Sequence, residues 1–477
     1  MSTPPQGTGG QGVGDSRPIR IPLATDLRNR SENYKIDGRL VNAYAEQVER
    51  GEVWIYKRPC LVPYTQPSGG AASGLGVFNW NNVVYSVFGG TLYAGTTALG
   101  AVDSSAPYTF SSLLGATPSL FLQNGSHYYY YNSSAGLTAI TPGSFTTSVP
   151  GCVYLDGTMY VMDAQANIWG SNINNVATGQ WVATNLIVAQ SEPCPGIALL
   201  KQLVYVVAFK TYSIEMFFDA GNATGSPLGS VPGQKLNYGC RDARTVAELA
   251  GVLLWVDQIR NGGSSVRIMD QATGQPCSTP QVERLLQYAD AQGYYSGNVY
   301  AWTGKIDGHL FYCLTIQNLN VTLVYDIAQK MWYEWTDTSG NYMPIVASTF
   351  LGGQTICQGQ SDGRLYKLST QVGTDNGVIV PTDVYTPEFD GGTHRRKVID
   401  RLRVVGDNYP GNVLQIRVSD DNYRTWSNFR EVDMGMVDPY LANCGTFRRR
   451  VWHLRQASTA GGRLVQALEA DLELGDG

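Results

Sequence analysis

Residues 153–169 read Val-Tyr-Leu-Asp-Gly-Thr-Met-Tyr-Val-Met-Asp-Ala-Gln-Ala-Asn-Ile-Trp. Two short apolar runs flank Asp156-Gly157, a pair that tolerates the positive φ angles of a two-residue hairpin turn. The segment therefore predicts two antiparallel strands, with Tyr160 three residues beyond the turn glycine. A second element closes at Asn167-Ile168-Trp169.

The same grammar recurs along the chain. An apolar or aromatic residue stands three positions after Asn82, Gly125, Gln202, Gly308 and Gly353, and Gly251 opens a looser copy. With Gly157, these seven starts span 271 residues over six intervals, about 45 each. A four-stranded propeller blade takes roughly 40–50 residues. The second hairpin of a unit is explicit in Gly90-Thr91-Leu92-Tyr93 and in Gly363-Arg364-Leu365-Tyr366. The expected fold is all-β: a six- or seven-bladed β-propeller flanked by an antiparallel β platform built from both chain ends. The short interval from Gly125 to Gly157 admits one incomplete unit. A β-sandwich with irregular hairpins is the alternative, but a sandwich needs no fixed period.

Composition agrees. The chain has 477 residues, 54 Gly, 29 Tyr and only 15% charged residues, a balance that favours turns, strands and half-buried aromatics. A net charge of −5 does not mark an overall nucleic-acid binder. Eight cysteines lie at least 36 residues apart, so no CxxC metal or redox spacing exists. Six of them, Cys152 to Cys357, recur every 36 to 46 residues, which predicts reduced thiols at similar places in successive units. The first 17 residues lack the apolar core of a signal peptide, and no apolar run approaches the roughly 20 residues of a membrane span.

The expected organisation is a flexible arm over 1–17, an N-terminal platform segment over 18–65, and a linker over 66–74. The propeller covers 75–370, a second linker 371–377, and a C-terminal β domain 378–477. Between Arg395 and Arg463 there are 13 Arg and Lys against seven Asp and Glu.

No residue set argues for catalysis. Candidate carboxylates for glycoside hydrolysis are Asp156, Asp163, Asp219, Asp257, Asp270, Asp307, Asp326 and Asp362, most of them in apparent turns where Asp serves the backbone. The four histidines, 127, 309, 394 and 453, show no metal-ligand spacing. No cofactor fingerprint is present. Tyr128-Tyr129-Tyr130-Tyr131 alternates faces on a strand, either as core and interface rings or as a stacking platform. Ser419, Asp421, Thr425 and Trp426 resemble the Asp-box turn of sialidase-like propellers, with Tyr423 where that box has Gly. That likeness keeps a carbohydrate-binding or sialidase-like propeller as the alternative function.

Two flanking motifs carry a further resemblance. Val41-Asn42-Ala43-Tyr44-Ala45-Glu46 with Lys57-Arg58-Pro59-Cys60-Leu61 stands in front. Arg395-Arg396-Lys397-Val398-Ile399-Asp400-Arg401-Leu402 and the 418–426 run stand behind. Together they resemble the packaged-DNA stabilisation proteins of short-tailed phages, the tail hub or nozzle family. The resemblance implies a virion tail protein without enzymatic turnover, assembled in the host cytoplasm. It also implies a homohexameric ring below the portal adaptor that contacts a tail needle and a fibre or spike. Packaged double-stranded DNA would pass through its channel. Arg395, Arg396, Lys397, Arg448, Arg449 and Arg450 are the candidate partner interface, because Arg forks pair well with acidic surfaces.

Overall fold

The computed structural model describes residues 18–27, 34–47, 52–190, 192–295 and 297–474. The expected arm over 1–17 lies outside the described residues. The described chain is built almost entirely of strands, with one α-helix among the described residues, Pro280–Ala291.

Seven antiparallel sheets follow one another from residue 74 to residue 369. The first holds Gly74–Trp80, Val83–Phe88, Thr91–Ala94 and Thr97–Ala101. The second holds Thr109–Leu113, Ser119–Gln123, Tyr128–Asn132 and Gly136–Ile140. The third runs from Val153–Leu155 to Trp181–Val188, and the fourth from Gly196–Gln202 to Leu228–Leu236. In the fifth, Gly239–Cys240 and Ala247–Leu249 both pair with Val252–Gln258. The sixth starts from Val299–Ile306, and the seventh from Ile345–Leu351.

Two-residue turns with positive φ at both positions join the first two strands in most of these sheets. Asp156 and Gly157 sit at φ 44° and 92°, and Val153, Tyr154 and Leu155 pair with Tyr160, Met159 and Thr158. Asn81-Asn82, Ala250-Gly251, Asp307-Gly308 and Gly352-Gly353 share that geometry, whose twist matches that of the flanking strands. Gly125 differs. Its turn joins the second and third strands of its sheet, so the short interval to Gly157 reflects an offset in counting. That unit has all four strands and is not incomplete.

The long interval from Gly251 to Gly308 has another cause. It contains Pro280–Ala291, a helix the strand grammar does not anticipate. Thr279 caps it by accepting from the Val282 amide, and Pro280 opens its first turn. Val282, Leu286 and Ala289 then pack against Leu254, Tyr312 and Trp332.

The flanks do not stay apart from the repeats. Cys60–Thr65, in the segment expected to belong to the platform, pairs with Leu365–Ser369 and supplies the fourth strand of the seventh sheet. Arg39–Val41 lies parallel to Met331–Trp335 at the edge of the sixth sheet. Thr382–Tyr385 pairs with its other side, followed by Val451–Gln456, Val413–Ser419 and Arg430–Asp433. Sixth repeat and C-terminal segment thus share one nine-stranded sheet. Ile19–Ile21 pairs with Ala467–Leu474, and Val53–Lys57 pairs with Arg463–Val465. One apolar core runs through this region, uniting Tyr44, Ile55, Trp302, Trp335, Tyr366, Leu402 and Trp452.

All eight cysteines are free thiols, buried or half-buried. Burial pushes the Cys60 thiol up to about 11 and those of Cys152 and Cys277 up to about 12. The attacking species is the thiolate, so these sulfurs are poor nucleophiles near neutrality. At pH 8 a thiol reagent should label Cys60, Cys152 and Cys277 in the native protein at least about tenfold more slowly than a free cysteine peptide. All eight thiols should titrate once the chain is denatured. Fewer than eight would indicate cross-links that the fold does not contain.

Candidate functional site

The eight candidate carboxylates are held by their own turns and strands. Asp163 accepts from the amides of Gln165 and Asn167 and from the Trp169 indole. Asp219 accepts from the Gly221 amide, and Asp362 from the Arg364 amide and the Tyr366 hydroxyl. Buried Asp257 takes the Ser265 amide and the Arg267 guanidinium. Asp326 faces His309 Nδ1 at 2.6 Å. Asp156 and Asp307 occupy positive-φ turns, and Asp270 closes a hairpin against Thr273. No group of three metal-ligating side chains among the described residues has the spacing to hold an ion. His127 stands beside Asp103, His394 lends its carbonyl to Arg448, and His453 Nε2 lies 2.6 Å from Asp383.

The tyrosine run divides between two inter-sheet cores. Tyr128 and Tyr130 pack with Phe121, Phe145 and Trp181. Tyr129 and Tyr131 face the core around Val87 and Leu122. All four rings are therefore spent on packing one sheet between its neighbours.

The Asp-box-like turn forms. Asp421 Oδ1 accepts from the Thr425 amide at 2.9 Å and from Ser419 Oγ at 2.9 Å, and Oδ2 accepts from Thr425 Oγ1 at 2.6 Å. The Thr425 hydroxyl and amide, with Ser419, hold the Asp421 carboxyl down at about 2. Tyr423 takes the αL conformation that Gly would favour, at φ 64°, and its hydroxyl donates to the Thr386 carbonyl. Trp426 packs on Tyr385 and His453. The side chains of Ser419, Asp421 and Thr425 serve the turn, as in a structural Asp-box.

The six basic residues separate into two kinds. Arg395, Arg396, Arg448 and Arg449 are exposed. Lys397 and Arg450 are buried, which corrects their assignment to an interface. Lys397 Nζ donates to the carbonyls of Thr393, Arg395 and Arg448. Arg450 forks onto Asp420 at 2.7 and 2.8 Å and also reaches the Cys444 and Thr446 carbonyls. Both cations tie loops together, because a buried charge is tolerated only with its hydrogen-bonding capacity filled.

The front motif builds a junction that sequence reading treated only as a family marker. Asn42 takes φ 55° and its carbonyl accepts from the Arg58 amide. Its side chain accepts from the Thr336 amide at 2.7 Å and from Arg58 Nε at 3.0 Å. Its amide nitrogen donates to Thr336 Oγ1 and the Pro381 carbonyl. Arg58 has a fully buried side chain and pairs with Asp375 through Nη2 at 2.5 Å and Nη1 at 3.2 Å. Asp375 Oδ1 also accepts from the Leu61 amide, and Arg58 Nη2 reaches the Thr336 carbonyl. One cluster therefore pins the N-terminal segment, the end of the sixth sheet and the entry to the C-terminal segment. Breaking a buried pair typically costs about 3–5 kcal/mol, since it strands one charge. Arg58→Met or Asp375→Asn alone should each lower the unfolding free energy by about that amount in denaturant titrations. The double variant should lose less than the sum. Additive losses would show that the two groups do not act as a pair.

The first strands of the seven sheets carry only Lys201, Glu248 and Lys305 as charges. They offer no phosphate clamp.

The likeness to solved structures is weak. The extracellular domain of the putative one-component system BT4673 from B. thetaiotaomicron matches at TM-score 0.43 and 8% identity, over 89% of this chain and 62% of that one. This chain thus spans less than two thirds of that relative. Catalytically inactive virginiamycin B lyase from Staphylococcus aureus, solved with quinupristin, matches at TM-score 0.36 and 9% identity, over 74% and 99%. BamB from Moraxella catarrhalis matches at TM-score 0.35 and 10% identity, over 66% and 99%. A search of curated proteins finds no match. The family model described as bacteriophage P22 Gp10, beta-propeller, matches residues 20–373, from the first paired strand through the seventh sheet. With well over half of its length matched, the chain belongs to this phage packaged-DNA stabilisation family.

Proposed function

We propose that the protein is a tail nozzle: a homohexameric virion component that docks beneath the portal adaptor, surrounds the DNA exit channel and retains packaged DNA. The observation that carries the reading is the family match over 20–373. In this reading the seven sheets are the blades of one ring, closed where Cys60–Thr65 joins the seventh sheet. The shared sheets of the two chain ends form the platform that meets adaptor, needle and fibre or spike. Assembly takes place in the host cytoplasm.

Three features support the proposal. Candidate carboxylates are engaged in turns and pairs, which suits a protein without turnover. The sparse charge on the first strands suits a passage, because every phosphate contact slows sliding DNA. The exposed arginines at 395, 396, 448 and 449 form a basic edge on the C-terminal segment, suited to carboxylate-rich partner surfaces.

The test separates those arginines from the buried cations. Arg448→Glu with Arg449→Glu should leave the isolated protein folded and block its attachment to adaptor-bearing capsids, which then lose their DNA. Arg450→Glu should instead unfold the C-terminal segment, because it sets a second carboxylate against Asp420. Capsids that retain their genomes with the exposed pair reversed would refute the interface. Infectious, filled particles from a deletion of the whole gene would refute the function.

A further inference from the structure

A cleft of about 450 Å³ opens where three parts of the chain meet. Tyr44, Glu46 and Tyr56 come from the N-terminal strands, and Asp307 and His309 from the sixth sheet. Asp407 and Arg463 come from the C-terminal segment. The family motif Val41–Glu46 thus places its tyrosine and its glutamate in one cavity, a feature the junction at Arg58 does not use.

The cleft holds two kinds of group. Its cations are already engaged: Arg463 pairs with Asp407 at 2.8 Å, and Lys57 Nζ donates to the Ser458 and Ala460 carbonyls. Two of its carboxylates, Glu46 and Asp307, have no cationic partner among the described residues. Glu46 takes a hydrogen bond from the Tyr56 hydroxyl, and Asp307 takes one from the Thr370 hydroxyl at 2.8 Å. His309 is 4% exposed, and Asp326 holds its Nδ1. Its Nε2 has no partner among the described residues, yet it is not sealed from solvent. Tyr44 is 2% exposed, and its hydroxyl is in the same condition. Two almost fully buried polar side chains therefore present unpaired atoms to a cleft that carries two carboxylates without a cationic partner among the described residues.

We propose that this cleft binds an organic cation of the alkylammonium or guanidinium class. Glu46 and Asp307 neutralise the charge, His309 Nε2 and the Tyr44 hydroxyl accept N–H donors, and the stacked Tyr44 and Tyr56 rings, 5.4 Å apart, line the apolar side. A single metal ion does not fit this arrangement, because no three ligating side chains among the described residues converge. An extended cation with several N–H donors spans the separated acceptors. The volume lies within the range of small-molecule pockets, about 300–1,000 Å³.

The test is calorimetric titration of the full-length protein with spermidine, agmatine and a capped lysine amide, with Mg²⁺ and maltose as controls. The expected result is saturable one-to-one binding of at least one of the three cations, undisturbed by Mg²⁺. Asp307→Asn and Glu46→Gln should each weaken it by about tenfold or more, the size of one charge-assisted contact. Asn suits the positive-φ turn at 307, so that variant keeps the fold, and its unchanged melting temperature checks this. Tyr44→Phe, which keeps the ring and removes the hydroxyl, should weaken binding by a smaller factor. Tightest binding of the capped lysine amide would identify a partner's side chain as the occupant, and tightest binding of spermidine a free polyamine. Absence of saturable binding by all three cations overturns the proposal. So does binding that both carboxylate variants leave unchanged, or binding of maltose alone.

Discussion

The buried ion pair between Arg58 and Asp375 is the constraint on which the arrangement of the flanks depends. A guanidinium taken out of water requires its charge and its donors to be satisfied together. Asp375, Asn42, and the Pro59 and Thr336 carbonyls meet that requirement from three separate parts of the chain. Once they converge, the strand Cys60–Thr65 leaves the cluster beside the seventh sheet, and Arg39–Val41 enters it beside the sixth. The pair acts mainly as a device of register, since a buried salt bridge is weak evidence of net stabilisation.

Register matters here because the repeats are similar. Each four-stranded sheet leaves its edges in need of a neighbour, and an unpaired edge is a hazard. Borrowing the fourth strand of the seventh sheet from residues 60–65 joins the beginning of the repeat array to its end. The sixth sheet meets the same need differently, continuing through Arg39–Val41 into the C-terminal strands. Flank and repeats are consequently one hydrogen-bonded body on that side. A composition-based boundary near residue 378 marks a change of charge rather than a break in structure.

The basic C-terminal segment shows how composition and position part company. Six cations in two short clusters look alike in sequence, yet Lys397 and Arg450 close loops from inside while their neighbours face water. Arg448 and Arg449 lie in the bend between the strands Thr446–Phe447 and Val451–Gln456 and face water, whereas Arg450 turns inward onto Asp420, so the triplet does not act as one patch. Alternation along the strand Tyr128–Asn132, by contrast, distributes the four tyrosines at 128–131 between two cores.

The sequence by itself determined the local grammar: an all-β chain, two-residue turns at Asp156-Gly157, Asp307-Gly308 and Gly352-Gly353, and unpaired thiols. These are properties of a few adjacent residues, and positive φ or a missing partner cysteine is legible at that range. The helix at Pro280–Ala291 was also legible, in its Thr279-Pro280 cap and its apolar spacing, but the strand period overshadowed it. Only the tertiary structure decided which repeat Gly125 belongs to by turn order, where Cys60–Thr65 pairs, and which arginines are buried. It alone brought Tyr44, Asp307 and Asp407 to one cleft. Those outcomes rest on pairings between residues tens to hundreds of positions apart, selected by burial and by the need to satisfy every buried charge, and no local pattern records them.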